Sequence, residues 1–451
     1  MTDSAPGAAK RRDPLPRFRF RWGIVGMLFA SNAIVFLDRT NISIALPQMS
    51  KEMHIEPFVA GLLLSSFFWM YALFQLPGGA LADKVRSKVL LAGATVFWGI
   101  ATVLTGLVSS IGLLFGFRFA LGVGESITAP TYSKVTSAWF SAKERSVATA
   151  IWDSGNRFGT AAALPALTAI TYAWGWQWAF FISGAIAIVW VPIWWLFYNF
   201  AVKRNERDLG AVPREAGARD EEETEQVKVS WGTLLTLRPM WGLMVGYFCL
   251  LFVNYFFITW FPAYLIGERH FTPAMLGLMG AIPPICAVIS NWMGGLTSAY
   301  LLKRGRSLTF ARKLPIIVGL LVASSIAFVP FVQGDWGVIV MLSIAYSGVT
   351  FATPSVWCLP AEMAPTPSRV GSISGLQNFA GNLAGITGPI IIGAIYGLTG
   401  SFAEPLILAG AVVLVGVVVY ILLLGPVQRM RLRGEAAVGE IAAFESVEEG
   451  R

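Results

Sequence analysis

Residues 22–46 read WGIVGMLFASNAIVFLDRTNISIAL, an apolar run broken by Asp38 and Arg39 side by side. A helix of ~20 such residues crosses a bilayer, so this run is long enough to span one. An ionised acid or base at the centre of a membrane helix costs roughly 2.5–3.5 kcal/mol on insertion scales. Two together persist only where they face a protein interior or a wet cavity and find partners there. The pair reads either as a structural ion pair locking two helices or as a site that handles charge.

The rest of the chain has the same character. Of its 451 residues 55% are hydrophobic and only 13% charged, and mean hydropathy is +0.63, which excludes a soluble globule. Apolar stretches of spanning length recur throughout, so an all-α, multi-pass membrane protein is expected. A net charge of +8 would suit nucleic acid, but the bases sit where topogenic signals belong. Lys10, Arg11, Arg12, Arg17, Arg19 and Arg21 precede the first run, and no cleavable signal pattern follows them. Cys249, Cys286 and Cys358 fall inside apolar segments at no disulfide or metal spacing. His54 and His270 lie in short loops, with no nucleophile or metal motif around them. No metal, cofactor, nucleic-acid partner or enzyme chemistry is expected.

Hydropathy and helix breakers divide the chain into twelve spans. The first six are 22–47, 59–82, 88–110, 112–135, 146–170 and 176–200. The second six are 239–265, 273–301, 313–332, 336–360, 369–397 and 402–425. Residues 1–21 are then a tail, 22–200 and 239–425 two six-helix bundles, and 201–238 a charged, solvated linker with Glu221-Glu222-Glu223. The tail 426–451 turns from basic to acidic and is expected to be disordered. If the N-terminus is cytoplasmic, inner loops receive Lys84, Arg86, Lys88, Lys143, Arg145, Arg304, Arg306 and Arg369. Outer loops receive only Lys51 and Arg269, which places both termini inside. The halves also repeat. Gly155-Asn156-Arg157-Phe158-Gly159 follows the loop base Arg145, as Gly381-Asn382-Leu383-Ala384-Gly385 follows Arg369 with a two-residue slip. Duplicated bundles with a site between them are the arrangement used for alternating access.

More charge lies deep in the first half. Arg118 and Glu125 are seven apart in the fourth span and project from nearly one helix face. Gly122 and Gly124 remove bulk where another helix approaches. Asp153 and Arg157 are four apart in the fifth span, with Asn156 beside them, and a self-satisfied intrahelical pair is one reading of them. Asp38, Glu125 and Asp153 balance Arg39, Arg118 and Arg157. A carboxylate entering such a cavity breaks the balance by one unit, and a proton on Asp38 or Glu125 restores it. Burial favours a protonated carboxyl and a neighbouring arginine favours an ionised one; an anion seated on the arginine cancels the second effect. Anion and proton are thereby expected to be taken up together. The planar fork of arginine suits a carboxylate. Tyr71 and Gln75, Asn254 and Tyr255, Trp357, Gln377, Asn378 and Asn382 are polar or amphipathic groups within spans that either contact a ligand or bond helices together.

With these features in hand, the chain resembles the major facilitator superfamily over nearly its whole length. Gly79-Ala80-Leu81-Ala82-Asp83-Lys84 is similar to its Gly-x-x-x-Asp-Arg/Lys signature, a latch at the cytoplasmic end, and Arg118 with Gly122 and Gly124 to its fourth-helix motif. Asp38-Arg39-x-Asn41, Trp139-Phe140 with Glu144-Arg145, and Phe310-Ala311-Arg312-Lys313 resemble the anion:cation symporter branch, which includes bacterial sugar-acid transporters. The resemblance implies two pseudo-symmetric six-helix bundles and uptake of an organic anion with protons. It assigns Asp38 and Glu125 to the proton, and Arg39, Tyr71, Asn156, Trp357 and Asn378 to the substrate cavity, with Arg118 interacting with the acids. Gln75, Arg118 and Arg157 join that cavity in our reading, and Asp83, Lys84, Glu144, Arg145 and Arg369 are expected to form the latch. Three departures stand out: Arg86 where the latch motif has Gly, Ala299 where its second-half copy has Asp, and the Asp153/Arg157 pair, which hints at a dicarboxylate or at an altered pocket.

The expectation is a monomeric symporter of a bacterial inner membrane, surrounded by lipid, that imports a hexonate, aldarate or hexuronate with protons. A neighbouring carboxylate of the tartrate, phthalate or allantoate type is the alternative. A non-transporting sensor on the same fold is a third reading.

Overall fold

The computed structural model describes residues 19–140, 142–209, 231–365 and 370–430. Twelve long helices organise them. The first half contains α1 (Arg19–Met53), α2 (Pro57–Lys84), α3 (Ser87–Thr105), α4 (Ile111–Trp139), α5 (Ala142–Trp174) and α6 (Trp176–Leu209). The second contains α7 (Arg238–Thr259), α8 (Pro273–Lys303), α9 (Leu308–Phe331), α10 (Asp335–Met363), α11 (Val370–Thr399) and α12 (Ala403–Leu422). Eleven are long and apolar enough to cross a membrane. The remaining one, α5, carries Asp153, Asn156 and Arg157 in its body, and this polarity sets it apart.

Differences from the expected spans are local. The fourth span is two helical pieces meeting at Ile127. The seventh ends at Thr259 and hands over to a short helix, Phe261–Gly267. The last turns of α9, Ser324–Phe331, tighten to 3-10 geometry. Helix α6 runs on past 200 to Leu209, into the expected linker, and a short helix, Trp231–Leu235, precedes α7. Residues 210–230, and the predicted disordered tail from 431 onward, lie outside the described residues.

In membrane proteins, small residues let helices approach where hydrophobicity alone gives no preference between neighbours. The repeated Gly-Asn-x-x-Gly marks such a place in both halves. Gly155 and Gly159 of α5 lie against the Phe29 and Ala33 carbonyls of α1. Gly381 and Gly385 of α11 lie against Tyr247, Leu251 and Tyr255 of α7. The fifth helix of each half therefore packs on the first of that half.

A longer repeat emerges from the structure. At a constant offset, Glu52, His54, Pro57, Gly61, Leu62, Gly78 and Gly79 fall on Glu268, His270, Pro273, Gly277, Leu278, Gly294 and Gly295. His54 and His270 share a left-handed backbone, with φ of 51° and 54°. Each turn buries the next residue, Ile55 or Phe271. A proline then opens α2 or α8, where a missing N–H costs nothing. The glycine that follows makes a crossing between halves: Gly61 sits on Pro389 and Ile390 of α11, and Gly277 on Pro165 of α5. These two crossings join the halves at the end away from the starts of α1 and α7.

Candidate functional site

Between the halves lies a cavity of about 290 Å³, near the lower end of the usual range for small-molecule sites. In the first half, α1 supplies Asn32, Phe36 and Arg39, α2 supplies Phe68, Tyr71 and Gln75, and α4 supplies Thr128 and Tyr132. Helix α5 adds Trp152, Asp153, Asn156 and Arg157. From the second half come Tyr247 and Tyr255, Tyr346 and Thr350, Trp357, Asn378 and Asn382.

Arg39 is held by rings and by one acid. Its guanidinium carbon is 4.7 Å from the ring centroids of Phe36 and Phe67 and 4.6 Å from that of Tyr71, within reach of the ring quadrupoles. Its Nε donates to Glu125 Oε2 at 2.6 Å. Glu125 is fully buried, and its other oxygen, Oε1, has no hydrogen-bond partner. Arg118 is also buried, with its guanidinium 5.3 Å from the Phe67 centroid and its Nε unpartnered. Asp38 is 2% exposed, and neither of its carboxyl oxygens completes a hydrogen bond, although Ser183 and Thr102 lie beside it. Of the four oxygens on these two acids, then, three are unpartnered. A buried polar atom without a partner is unusual enough to require a reason, and an oxygen that receives a proton is one.

Of the ten residues expected to handle proton and substrate, seven line the cavity: Arg39, Tyr71, Gln75, Asn156, Arg157, Trp357 and Asn378. Arg118, Asp38 and Glu125 are buried and do not line the cavity; Glu125 reaches it through its bond to Arg39. The Asp153/Arg157 pair exists within α5, at 3.3 Å, and Asn156 Nδ2 reaches Asp153 Oδ1 at 3.4 Å. Arg157 is not satisfied by Asp153 alone, because its Nη2 also donates to Asn291 of α8 at 3.1 Å. Asn378 Nδ2 donates to Gln75 Oε1 at 3.4 Å, the corresponding link from α11 to α2.

At the other end of the helices, Glu144 accepts both Nη groups of Arg21 at 2.9 and 2.6 Å, tying α5 to α1. Lys134 Nζ donates to the carbonyls of Ala82 and Val85 at 2.6 and 3.1 Å, covering the C-terminus of α2. In the second half Arg312 donates to Glu362 at 2.8 Å and to Ser298 at 2.8 Å. Lys84 is exposed. The side chains of Asp83 and Arg145, and all of Arg369, lie outside what is described.

Sequence reading passed over Arg21 as a topogenic charge and missed Lys134, Asn32, Tyr132, Tyr247, Tyr346 and Asn291. The offset repeat would have found Asn291, which falls on Gln75. The aromatic hydroxyls carry no such signal, because tyrosines pack cores as often as they line cavities. Among the described residues no cluster of His, Cys, Asp and Glu could hold a metal ion.

Comparison with known proteins places these features. A protein of Bacillus subtilis (strain 168) named "Probable galactarate/D-glucarate transporter" is 34% identical over 92% of this chain and 94% of its own length. The "D-galactonate transporter" of Escherichia coli O6:H1 is 32% identical over 91% of this chain and 97% of its own. In fold, the chain is similar to a bacterial homologue of the human lysosomal transporter Spinster, with a TM-score of 0.74 at 17% identity, covering 90% of this chain and 97% of that one. The sequence pattern of the Major Facilitator Superfamily matches residues 28–389. By these likenesses, this integral, multi-pass chain belongs to the Major Facilitator Superfamily.

Proposed function

We propose that this member of a transporter superfamily, which is not an enzyme, imports a small sugar acid together with protons by alternating access. The observation that carries the reading is the buried acid pair near Arg39: two carboxyl groups, three of whose oxygens lack partners, with the Arg39 guanidinium at the cavity wall and the buried Arg118 behind it. The names of the relatives support the substrate class, since galactarate, D-glucarate and D-galactonate are all carboxylates of polyhydroxylated six-carbon chains. A carboxylate competes with Glu125 for Arg39, and Glu125, once released, takes the proton that keeps the interior neutral. Tyr71, Gln75, Asn156, Asn378 and Trp357 would read hydroxyls and stack on the carbon chain, with Arg118 holding the acids in place.

The topology follows the same reading. The bundles 22–200 and 239–425 rock about the cavity, in a bacterial inner membrane with both termini cytoplasmic and the chain acting as a monomer among its lipids. Asp83, Lys84, Glu144, Arg145 and Arg369 act as the latch at the cytoplasmic end. The test uses the full chain in proteoliposomes with labelled D-glucarate. Uptake should rise above equilibrium when the outside is acidified and should carry protons inward. Accumulation that ignores a pH gradient counts against the coupling; no uptake or proton movement with any organic acid favours a sensor.

A further inference from the structure

The repeat that builds the two crossings continues into the cavity. Gln75 of α2 falls on Asn291 of α8, each 14 residues beyond its crossing glycine, Gly61 or Gly277. Fourteen residues of unbroken helix rise ~21 Å, and α2 is continuous from Gly61 to Gln75. Helix α8 turns at Gly280 and Ala281, between its pieces Pro273–Met279 and Ile282–Lys303, and Asn291 is placed at the depth of the cavity by its bond to the cavity-lining Arg157. Both amides bond to the opposite half. Gln75 accepts from Asn378 of α11, and Asn291 accepts from Arg157 of α5. Each of the junctions α2–α11 and α5–α8 is thus closed by a glycine at one end and by a polar bond at the depth of the cavity.

The two bonds are chemically unequal. One joins two neutral amides at 3.4 Å. The other takes a guanidinium whose Nη1 is already shared with Asp153 at 3.3 Å, and holds it at 3.1 Å with an amide oxygen. Arg157 lines the cavity, with Tyr346 of α10 close by. An ionised carboxylate is a stronger acceptor for a guanidinium than an amide is. A carboxylate in the cavity therefore competes directly for the group that fastens α5 to α8.

We propose that Asn291 is a positioning residue of the transport site: it holds Arg157 at the cavity wall and across the half-to-half junction, and yields it when a substrate carboxylate arrives. Anion binding is then tied to the parting of α5 from α8, because the bond that substrate breaks is one that joins the halves. Asp153 keeps Arg157 on its own helix throughout, so the guanidinium changes one partner and not both. This rests on the reading of the cavity as an organic-anion site.

The test follows the distance between the two halves at the end joined by the crossings. Spin labels go on W174C and L278C, at exposed positions on α5 and α8 (65% and 74%), after Cys249, Cys286 and Cys358 are replaced by Ser. D-glucarate, galactarate and D-galactonate are the probes, and thermal stabilisation of the same full-length proteins reports whether each acid binds. In the parent protein a binding acid should shift the distance distribution. Asn291→Leu and Asn291→Ala should show the shifted distribution without acid and no further change with it, and Asn291→Gln should restore the acid response. Alanine carries the test if the leucine variant does not fold. A parent-like acid response in Asn291→Ala, or failure of Gln to restore what Ala removes, overturns the role of Asn291 while leaving the transport reading in place. A parent protein that no acid stabilises or moves overturns both.

Discussion

Asp38 and Glu125 differ in what surrounds them, and on the proposed reading that difference divides their work. Glu125 has a firm partner in Arg39 Nε at 2.6 Å, with one oxygen left over. Asp38 has hydroxyls nearby and no hydrogen bond to either oxygen. Removing one member of a buried charge pair leaves its partner exposed to an apolar environment, at a cost of ~3–5 kcal/mol. Glu125→Gln keeps the shape and an acceptor oxygen for Arg39 but cannot cycle a proton. The expected outcome for Glu125→Gln and for Asp38→Asn is that exchange of labelled for unlabelled D-glucarate survives while accumulation driven by a pH gradient falls to the equilibrium level. Counterflow and net-uptake assays on the same vesicles separate the two. A variant that still accumulates substrate removes that acid from the coupling. These residues were legible in the sequence because a charge inside an apolar run stands out against its surroundings. Asn32, Tyr132 and Tyr346 did not stand out, since a lone amide or phenol in a span is ordinary, and only the fold turns it toward a cavity.

Helix existence and order were legible for the same reason, while helix ends were not. The run-on of α6 to Leu209 and the break in α4 at Ile127 depend on packing and capping, which leave little trace in hydropathy. The junction between α5 and α1 was half legible: Gly155-Asn156-Arg157-Phe158-Gly159 stood out as a repeat of Gly381-Asn382-Leu383-Ala384-Gly385, but neither the close approach nor its partner was read from it. The crossings between halves went unread because their residues, Gly61, Gly277, Pro165 and Pro389, are common in any membrane helix. They are also where an added side chain has a clear consequence. A Cβ at Gly61 would lie 2.5 Å from the Pro389 carbonyl oxygen and 3.2 Å from Ile390 Cα. Both are backbone atoms that cannot swing aside. Overpacking costs ~1–3 kcal/mol, which corresponds to roughly a five- to 150-fold shift between two conformations. Gly61→Leu should therefore disfavour the state closed at this end. A cysteine placed in the cavity should become reactive to membrane-impermeant reagents from that face in Gly61→Leu and remain slow to react in the parent. At Gly277 the nearest atom is 3.3 Å away, so Gly277→Ala should have a smaller effect. Equal reactivity in Gly61→Leu and parent would show that the crossing does not gate access.

On the scale of the whole molecule, the charges in the interior of the first half constrain what can travel together. Asp38, Glu125 and Asp153 offset Arg39, Arg118 and Arg157, so on the proposed mechanism the empty protein reorients without carrying net charge through the membrane. A monoanion adds one negative charge and one proton cancels it. A diacid adds two, and the two buried acids near Arg39 offer places for two protons. The proton count should accordingly follow the charge of the anion, and uptake of both kinds should be electroneutral. Moving one uncompensated charge against a potential of 100 mV is worth ~2.3 kcal/mol, large enough to be read as a change in the accumulation ratio. Vesicles clamped with potassium and an ionophore should therefore take up D-galactonate and D-glucarate to the same extent at zero and at inside-negative potential, provided the pH gradient is held constant. The proton flux measured with a pH dye should be about twice as large per molecule for the diacid, following its two carboxylates. If inside-negative potential drives uptake of either acid, an extra proton crosses with it. The balance of three acids and three bases would then not be what sets the stoichiometry.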